Sequence, residues 1–502
     1  MFMKKLLALT LALLLLLCAC ASPEPSPTEP PTEIPTAAPT AAPTEVPTDP
    51  PTEPPTVPET TVPEKPEAAF AGYQQIHETE REKAWEADII YLARLYLGEL
   101  VLDGHPILAA RRVSIMDVDN TVYQRYFYDS AIRDAFVRGI KDLIPRLPEL
   151  NDAQIVYELK RIVALIGDAH SDVYGNVGHE WFPFAVEQME HNGEVGLYLV
   201  RILDTPQKLI YSKLVSVNGI PVDEVVARLE AFVPMESEYW VRNNIFSIFN
   251  SMLIADKVAL QAAGIVDWDA DTAVFSFEDS SGQIHELEME ALDSLTDEYW
   301  DASYVERTPY VMGFLSYEQY GDASYFYRYL YDYDTLFIRL YDFTEDTDYR
   351  LSQMFEQIRQ DLRSVTGLRK IVVDVRDNPG GYTTFVDQMT KFLQEFQMQD
   401  IYVLTDEGSF SAATIFPNRI RSKFENATIV GTPTGQSPNF FAGITTLNMR
   451  THDVTFTMST SYFEGDPSFT EDSLMPDLLI YQSLVDYKKG IDTVLQTVLE
   501  MD

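Results

Sequence analysis

Two short stretches of this chain hold residue types and spacings that could carry out acyl transfer. The first, Asp374-Val375-Arg376-Asp377-Asn378-Pro379-Gly380-Gly381-Tyr382, leaves an apolar strand-like run and enters a helix-like one. Its glycines let backbone N–H groups face an oxyanion, helped by the dipole of the following helix. On local composition alone it reads as a tight Asn-Pro-Gly-Gly turn. The second, Asp406-Glu407-Gly408-Ser409-Phe410-Ser411-Ala412-Ala413-Thr414, again joins a strand to a helix. A serine at such a junction is commonly a helix N-cap. A serine nucleophile there gains oxyanion stabilisation from the neighbouring N–H and from the helix N-terminus. Either loop alone is a weak signal. On adjacent strands they converge on one pocket, and that convergence points to nucleophilic chemistry at Ser411.

The same sequence excludes other chemistries. Its cysteines, Cys18 and Cys20, lie near the start, so the chain beyond them holds no disulfide, thiolate metal site or cysteine nucleophile. It has no His-Glu-x-x-His, phosphate loop or Gly-x-Gly-x-x-Gly fingerprint. No metal and no organic cofactor is expected. Against 37 Lys+Arg stand 78 Asp+Glu, a formal net charge of −41 that repels phosphate backbones and argues against nucleic acid as a partner. The 502 residues exceed what one core organises, and a hydrophobic content of 46% is enough to bury more than one.

The elements that must position the two loops follow from periodicity. Strands over 335–341, 370–375, 401–405 and 428–430 alternate with helices over 349–365, 384–396 and 412–424. Such alternation builds a largely parallel sheet whose working residues sit on loops at the carboxyl ends of its strands. Upstream, apolar positions from Ile76 to Leu97 and helices over 131–144 and 153–166, the latter opened by Asn151 and Asp152, form a helical unit. Between the two, strands over 196–202 and 214–217, a turn at Asn218-Gly219, helices over 223–232 and 245–263 and a hairpin over 274–289 mark a β-rich module.

The first 20 residues have the charged, apolar and small-residue regions of a secretory signal, with an apolar run from Leu6 to Leu17 too short to span a membrane. Leu17-Cys18-Ala19-Cys20 resembles a bacterial lipobox, which makes Cys20 the expected lipidation site and the protein anchored, not spanning. From Pro23 to Pro66 run 16 of the 30 prolines, interleaved with Thr, Glu and Ala. Such a segment builds no core and, at about 3.1 Å per residue, reaches up to ~140 Å from a membrane.

The two loops and three further stretches carry a resemblance. Lys370 to Gly381 resembles the strand and Arg-x-Asn-Pro-Gly-Gly turn of the tail-specific (C-terminal processing) serine peptidase family, and Gly408 to Ala413 is similar to its nucleophile loop. Val163-Ala164-Leu165-Ile166-Gly167-Asp168-Ala169-His170-Ser171 resembles the Asp-Gly-His-Thr segment of the tricorn-core-like branch. Gly431 to Gly435 resembles the turn after the strand that follows the nucleophile helix, Pro476-Asp477 a Pro-Asp near the C-terminus, and Leu214 to Gly219 part of a PDZ-like module. Coverage runs from about residue 70 to the end.

The resemblance implies an α/β (α+β multi-domain) chain. A signal over 1–20 and a disordered stalk over 21–67 precede a helical N-terminal domain over 68–175, a PDZ-like β-rich module over 176–292 and a crotonase/ClpP-like βα catalytic core over 293–502. By position, Ser411 is the nucleophile, and the N–H groups of Ala412 and of Gly380 or Gly381 form the oxyanion hole. Members with a Ser-Lys dyad carry lysine about where this chain has Gly435-Gln436, and here no lysine lies between Lys423 and Lys488. The histidine branch is therefore the better match, with His170 as base and His105 second. In that branch a Glu shortly before the Pro-Asp pair fixes the tautomer. Glu471 is the nearest equivalent, one residue nearer to Pro476 than the pattern, with Asp472 and Glu464 as alternatives.

The expected function is a serine endopeptidase, lipid-anchored on the extracytoplasmic face of a bacterial cell membrane, that hydrolyses peptides or unfolded proteins. The competing expectation is a lipoprotein that keeps the peptidase fold, binds peptides or proteins and lacks turnover, since function sits in the site and not in the fold. An esterase or amidase on the same serine would differ in substrate alone.

Overall fold

The computed structural model describes residues 67–100, 127, 129–203, 209–247, 251–293, 324–346 and 349–501. The export segment with Cys20, the stalk and His105 lie outside the described residues.

Three helices open the described chain: α1 (Glu80–Tyr96), α2 (Ser130–Leu143) and α3 (Asp152–Ala164). Asn151 starts α3 as the sequence predicts, accepting from Gln154 N at 2.8 Å while the Gln154 side chain accepts from Asn151 N. The apolar faces carrying Trp85, Ile89, Phe136, Ile140, Leu159 and Ile162 bury one another, and Phe441, Leu447 and Phe456 from far downstream complete this core. One buried carboxylate fastens the two parts together. Asp88 accepts from the backbone N–H groups of Arg450 (2.9 Å), Thr451 (3.1 Å) and His452 (3.1 Å), from His452 Nδ1 (2.9 Å) and from the Thr451 hydroxyl. The Trp85 ring stacks on His452 at 3.7 Å. Asp88→Ala strips three backbone donors of their acceptor, and the expected loss is about 3 kcal/mol, read as a lower midpoint of urea unfolding.

After β1 (Val173–Gly175) comes the β-rich module, with strands β2 (Phe184–His191), β3 (Glu194–Ile202), β4 (Lys213–Val217), β5 (Ile220–Pro221), β6 (Thr272–Glu278) and β7 (Ile284–Glu290). The main order is β2-β3-β4-β6-β7, antiparallel throughout, with β5 against β4. Helices α4 (Val222–Leu229), α5 (Glu238–Phe246) and α6 (Lys257–Ala262) accompany it. The expected single helix over 245–263 is instead the end of α5 and the whole of α6. Asp256 breaks the run: it caps α6 by accepting from Val258 N at 2.8 Å and is itself tied to His179 Nδ1 at 2.9 Å. The hairpin β2–β3 closes on Asn192-Gly193, both at positive φ, a two-residue turn signal the periodicity reading passes over.

The last third contains β8 (Tyr325–Leu330), β9 (Thr335–Leu340), β10 (Lys370–Asp374), β11 (Asp400–Thr405) and β12 (Ala427–Gly431), interleaved with α7 (Leu351–Leu362), α8 (Thr383–Leu393) and α9 (Ala412–Lys423). It continues through β13 (Asn439–Ala442), β14 (Thr445–Asn448), β15 (Val454–Met458), β16 (Ser461–Glu464), β17 (Leu478–Leu479) and α10 (Thr493–Glu500). The sheet order is β17-β12-β11-β10-β9-β8, parallel except for β8 at one edge. Ile371 and Val373 pack with α7, α8 and α9, while Val372 packs with Val494, Leu495 and Val498 of α10 on the other face. A strand covered on both faces reads as an unbroken apolar run, which is why this third is so legible. The strands β13 to β16 form no part of the expected alternation. Here β14 pairs with β15, and β15 with β1, so the C-terminal third returns to the helical unit.

Candidate active site

The carboxyl ends of β10, β11 and β12 lie side by side, with Asp374 opposite Leu404 and Thr405 opposite Gly431. The loops that leave them are laced together. Phe410 N donates to Asn378 O at 2.9 Å, Ser409 Oγ to Val375 O at 2.8 Å and Gly435 N to Ser409 O at 3.0 Å. The Asp406 carboxylate accepts from Asp377 N at 2.8 Å. Burial, then the charges of Asp377 and Glu407, push the Asp406 carboxyl well above the usual range. The two loops thus converge as the sequence reading expects.

Ser411 sits at the junction of this loop with α9 at φ 55° and ψ −122°. A residue with a Cβ adopts that backbone only at a cost, and such strain persists where the surroundings impose it. Its side chain makes no capping hydrogen bond to the helix, so the bland role of N-cap is not the one it plays. Gly380 lies directly against it, at φ +96°. A Cβ there would stand 2.7 Å from Ala412 N, from Phe410 O and from Ser411 Cβ. The Gly380 N–H is taken by Asn378 Oδ1 at 2.8 Å. Among the described residues, the N–H groups of Gly381 and Ala412 have no acceptor. Of the two glycines left open by the sequence, Gly381 is therefore the one with a free donor.

His170 reaches the same place from the end of α3, through a turn at Gly167 with positive φ. Buried Asp168 holds the turn, accepting from His170 N at 2.9 Å and from Ser171 Oγ at 2.5 Å. The imidazole lies between Phe410, at 4.6 Å between centroids, and Phe440, at 5.6 Å. Burial pushes its pKa down to about 4, against a smaller upward pull from Asp168. At neutral pH it is uncharged, the form a general base needs.

The side chain that joins the two is Gln436. Its Oε1 accepts from Ser411 N at 3.1 Å, and its Nε2 lies 3.3 Å from His170 Nδ1 and donates to Glu236 Oε2. Glu236 precedes α5 of the β-rich module, and its other oxygen accepts from Phe441 N at 2.9 Å. Burial, reinforced by the charge of Asp168, pushes this carboxyl well up. From the same module Trp240 stacks on Phe410, 4.0 Å between centroids. No direct hydrogen bond joins the Ser411 hydroxyl to His170 among the described residues.

Ser411, His170, Gly381 and Ala412 are thus brought to one place, with Gly380 as the floor beneath the serine. Glu471 is not: it is exposed, as are Asp472 and Glu464, and no hydrogen bond or ion pair takes it to His170. The carboxylates beside the imidazole are Asp168 and, through Gln436, Glu236. Gln436 is the residue that sequence reasoning named only as the place of a missing lysine. Glu236 is missed altogether, since nothing in Met235-Glu236-Ser237 marks it.

The family model described as peptidase family S41 matches residues 334–400, from the start of β9 through the loop with Gly380 and Gly381. A solved structure of mature CPAF complexed with lactacystin is similar over 84% of this chain and 98% of its own, with a TM-score of 0.52 and 14% identity. Another of mature CPAF covers 84% and 96%, with a TM-score of 0.51 and 14% identity. At that identity the likeness is one of fold. Among curated proteins, none matches.

Proposed function

Given that the chain belongs to peptidase family S41, we propose that it is a serine endopeptidase with Ser411 as nucleophile and His170 as base. The observation that carries this reading is Ser411 held at φ 55° on a strand-to-helix turn, beside two backbone N–H groups without acceptors. In the reaction the Ser411 hydroxyl attacks a peptide carbonyl and its proton passes to His170. The N–H groups of Gly381 and Ala412 hold the oxyanion, and the imidazolium returns the proton to the leaving amine as the C–N bond breaks. Water then releases the acyl group by the same path. Peptides and unfolded proteins are the proposed substrates, and the proposed location is the outer face of a bacterial membrane, through a lipid on Cys20. The β-rich region over 176–292 is proposed as the PDZ-like module and 293–502 as the crotonase/ClpP-like core.

The low pKa of His170 gives a pH prediction with a definite sign. The base works unprotonated, so activity is lost as pH falls through its folded value. Burial places that value at about 4, below the ordinary 6.5. The acidic limb of kcat/KM against pH is expected near 4, and a limb near 6.5 would show that His170 is not the group titrating.

The experiment that tests the reading is incubation of the full chain with a mixed pool of unfolded peptides, with products read by mass spectrometry. Cleavage that disappears in both Ser411→Ala and His170→Ala supports the Ser-His reading. Cleavage lost in Ser411→Ala alone moves the base elsewhere, His105 first. A second reading, a peptide-binding protein without turnover, is favoured by one observation: His170 Nδ1 faces Gln436, and Ser411 has no hydrogen bond to the ring. Peptide binding by a folded chain that cleaves nothing in the pool would select it.

A further inference from the structure

Hydrogen-bond directions around Gln436 fix more than its position. The Ser411 N–H can only donate, so the atom 3.1 Å from it is the carboxamide oxygen. The NH2 is therefore the group turned towards His170 Nδ1, at 3.3 Å, and towards the Glu236 carboxylate. An NH2 only donates as well. A neutral His170 accepts from it at Nδ1 and keeps its own proton on Nε2. A histidine that is to take the Ser411 proton at Nε2 needs the opposite tautomer, with Nδ1–H as donor.

Half a turn of the carboxamide supplies that tautomer. Its oxygen then faces both Nδ1–H and Glu236, and Glu236 meets it as a neutral acid, a form that its burial and the nearby Asp168 charge favour. The ionised Glu236 selects one orientation of the amide and the protonated Glu236 the other. We propose that Gln436 is a positioning residue whose carboxamide orientation, set by Glu236, decides which nitrogen of His170 carries the proton. The catalytic consequence rests on the peptidase reading above, whereas the tautomer is a property of the fold and can be observed without turnover.

Two isosteric substitutions reverse the directions without changing the shape of the site. In Gln436→Glu the atom facing Nδ1 is a carboxylate oxygen, so the imidazole proton moves to Nδ1. In Glu236→Gln, the Phe441 N–H, which donates to this side chain at 2.9 Å, keeps the one remaining oxygen. The new NH2 faces Gln436, whose oxygen turns to it and to His170. The measurement is nitrogen-15 NMR of the full chain labelled at histidine, at neutral pH, with the His170 signals assigned by their loss in His170→Asn. The parent is expected in the Nε2–H form and both variants in the Nδ1–H form. In parallel, the acidic limb of kcat/KM moves to higher pH by about 1 in Gln436→Glu, because a neighbouring carboxylate favours the imidazolium. It stays in place in Glu236→Gln.

One tautomer common to the parent and both variants overturns the proposal, as does a parent already in the Nδ1–H form. Should Gln436→Glu not fold, Glu236→Gln decides alone. A tautomer that switches as expected in a chain that cleaves no peptide upholds the positioning role and removes the peptidase reading. Ser411-dependent cleavage with an unmoved tautomer does the reverse.

Discussion

Ser411→Ala lowers kcat for peptide cleavage by roughly 10⁴-fold or more, with KM changed by a few-fold at most. The estimate follows from the role: the hydroxyl supplies the bond that forms in the acyl-enzyme, and the unpaired Gly381 and Ala412 donors can only stabilise what that attack creates. Alanine is the informative replacement because it too carries a Cβ. The positive φ of 55° costs it as much as it costs serine, so the loop has no reason to relax and the fold is retained. The comparison is made by steady-state kinetics on a peptide taken from the cleavage pool. A fall of less than tenfold would mean that another group attacks the carbonyl.

Gly380→Ala is the second large effect, and it acts without touching a reacting atom. The added methyl would stand 2.7 Å from three atoms, Ala412 N, Phe410 O and Ser411 Cβ, at a backbone φ of +96° that side chains rarely adopt. Two of the three are backbone atoms of laced loops, which cannot swing aside as a flexible side chain would. The nucleophile must therefore shift. A displacement of about 1 Å at a reacting centre costs on the order of 10²-fold in rate, and kcat is expected to fall at least that far in a folded protein. Gly193→Ala is the matching control. It has φ +85° but nothing within 4 Å, so its turn strain costs about 1–2 kcal/mol of stability and leaves kcat unchanged. Equal losses of activity in the two variants would show that the Gly380 contact with Ser411 is not what matters.

The parts of this fold legible in the sequence are those where one physical signal dominates. The alternation from β9 to β12 declares itself because strands covered on both faces must be apolar throughout, while the helices between them are apolar on one side only. Asn151 announces α3 because a cap with Gln three residues on has few other uses. The region over 245–263 misleads because its apolar residues answer to tertiary packing, with Asp256 ending the run to cap α6 and bind His179. Strands β13 to β16 are short, and their partners, including β1, lie hundreds of residues away, so period alone does not find them.

The site divides the same way. Ser411, Gly381 and Ala412 lie on loops whose local composition carries the message, and His170 follows a resembling segment. The carboxylate is another matter. Sequence spacing offers Glu471, whereas the side chain linked to the imidazole through Gln436 is Glu236, 200 residues from Gln436 along the chain. Only the docking of the β-rich module against the β12 loop makes them neighbours, and Trp240 on Phe410 is the visible part of that docking.

The central claim is that Ser411 is an activated nucleophile. Reaction with a fluorophosphonate reports this directly, since the reagent phosphonylates a serine only where a base removes its proton and donors hold the oxyanion. Intact-mass measurement followed by peptide mapping of the full chain is expected to give one adduct per molecule, on Ser411. The adduct should be absent from Ser411→Ala and form at least about 100-fold more slowly in His170→Ala. A folded parent that stays unmodified at millimolar reagent, or carries its adduct on another residue, would contradict the account.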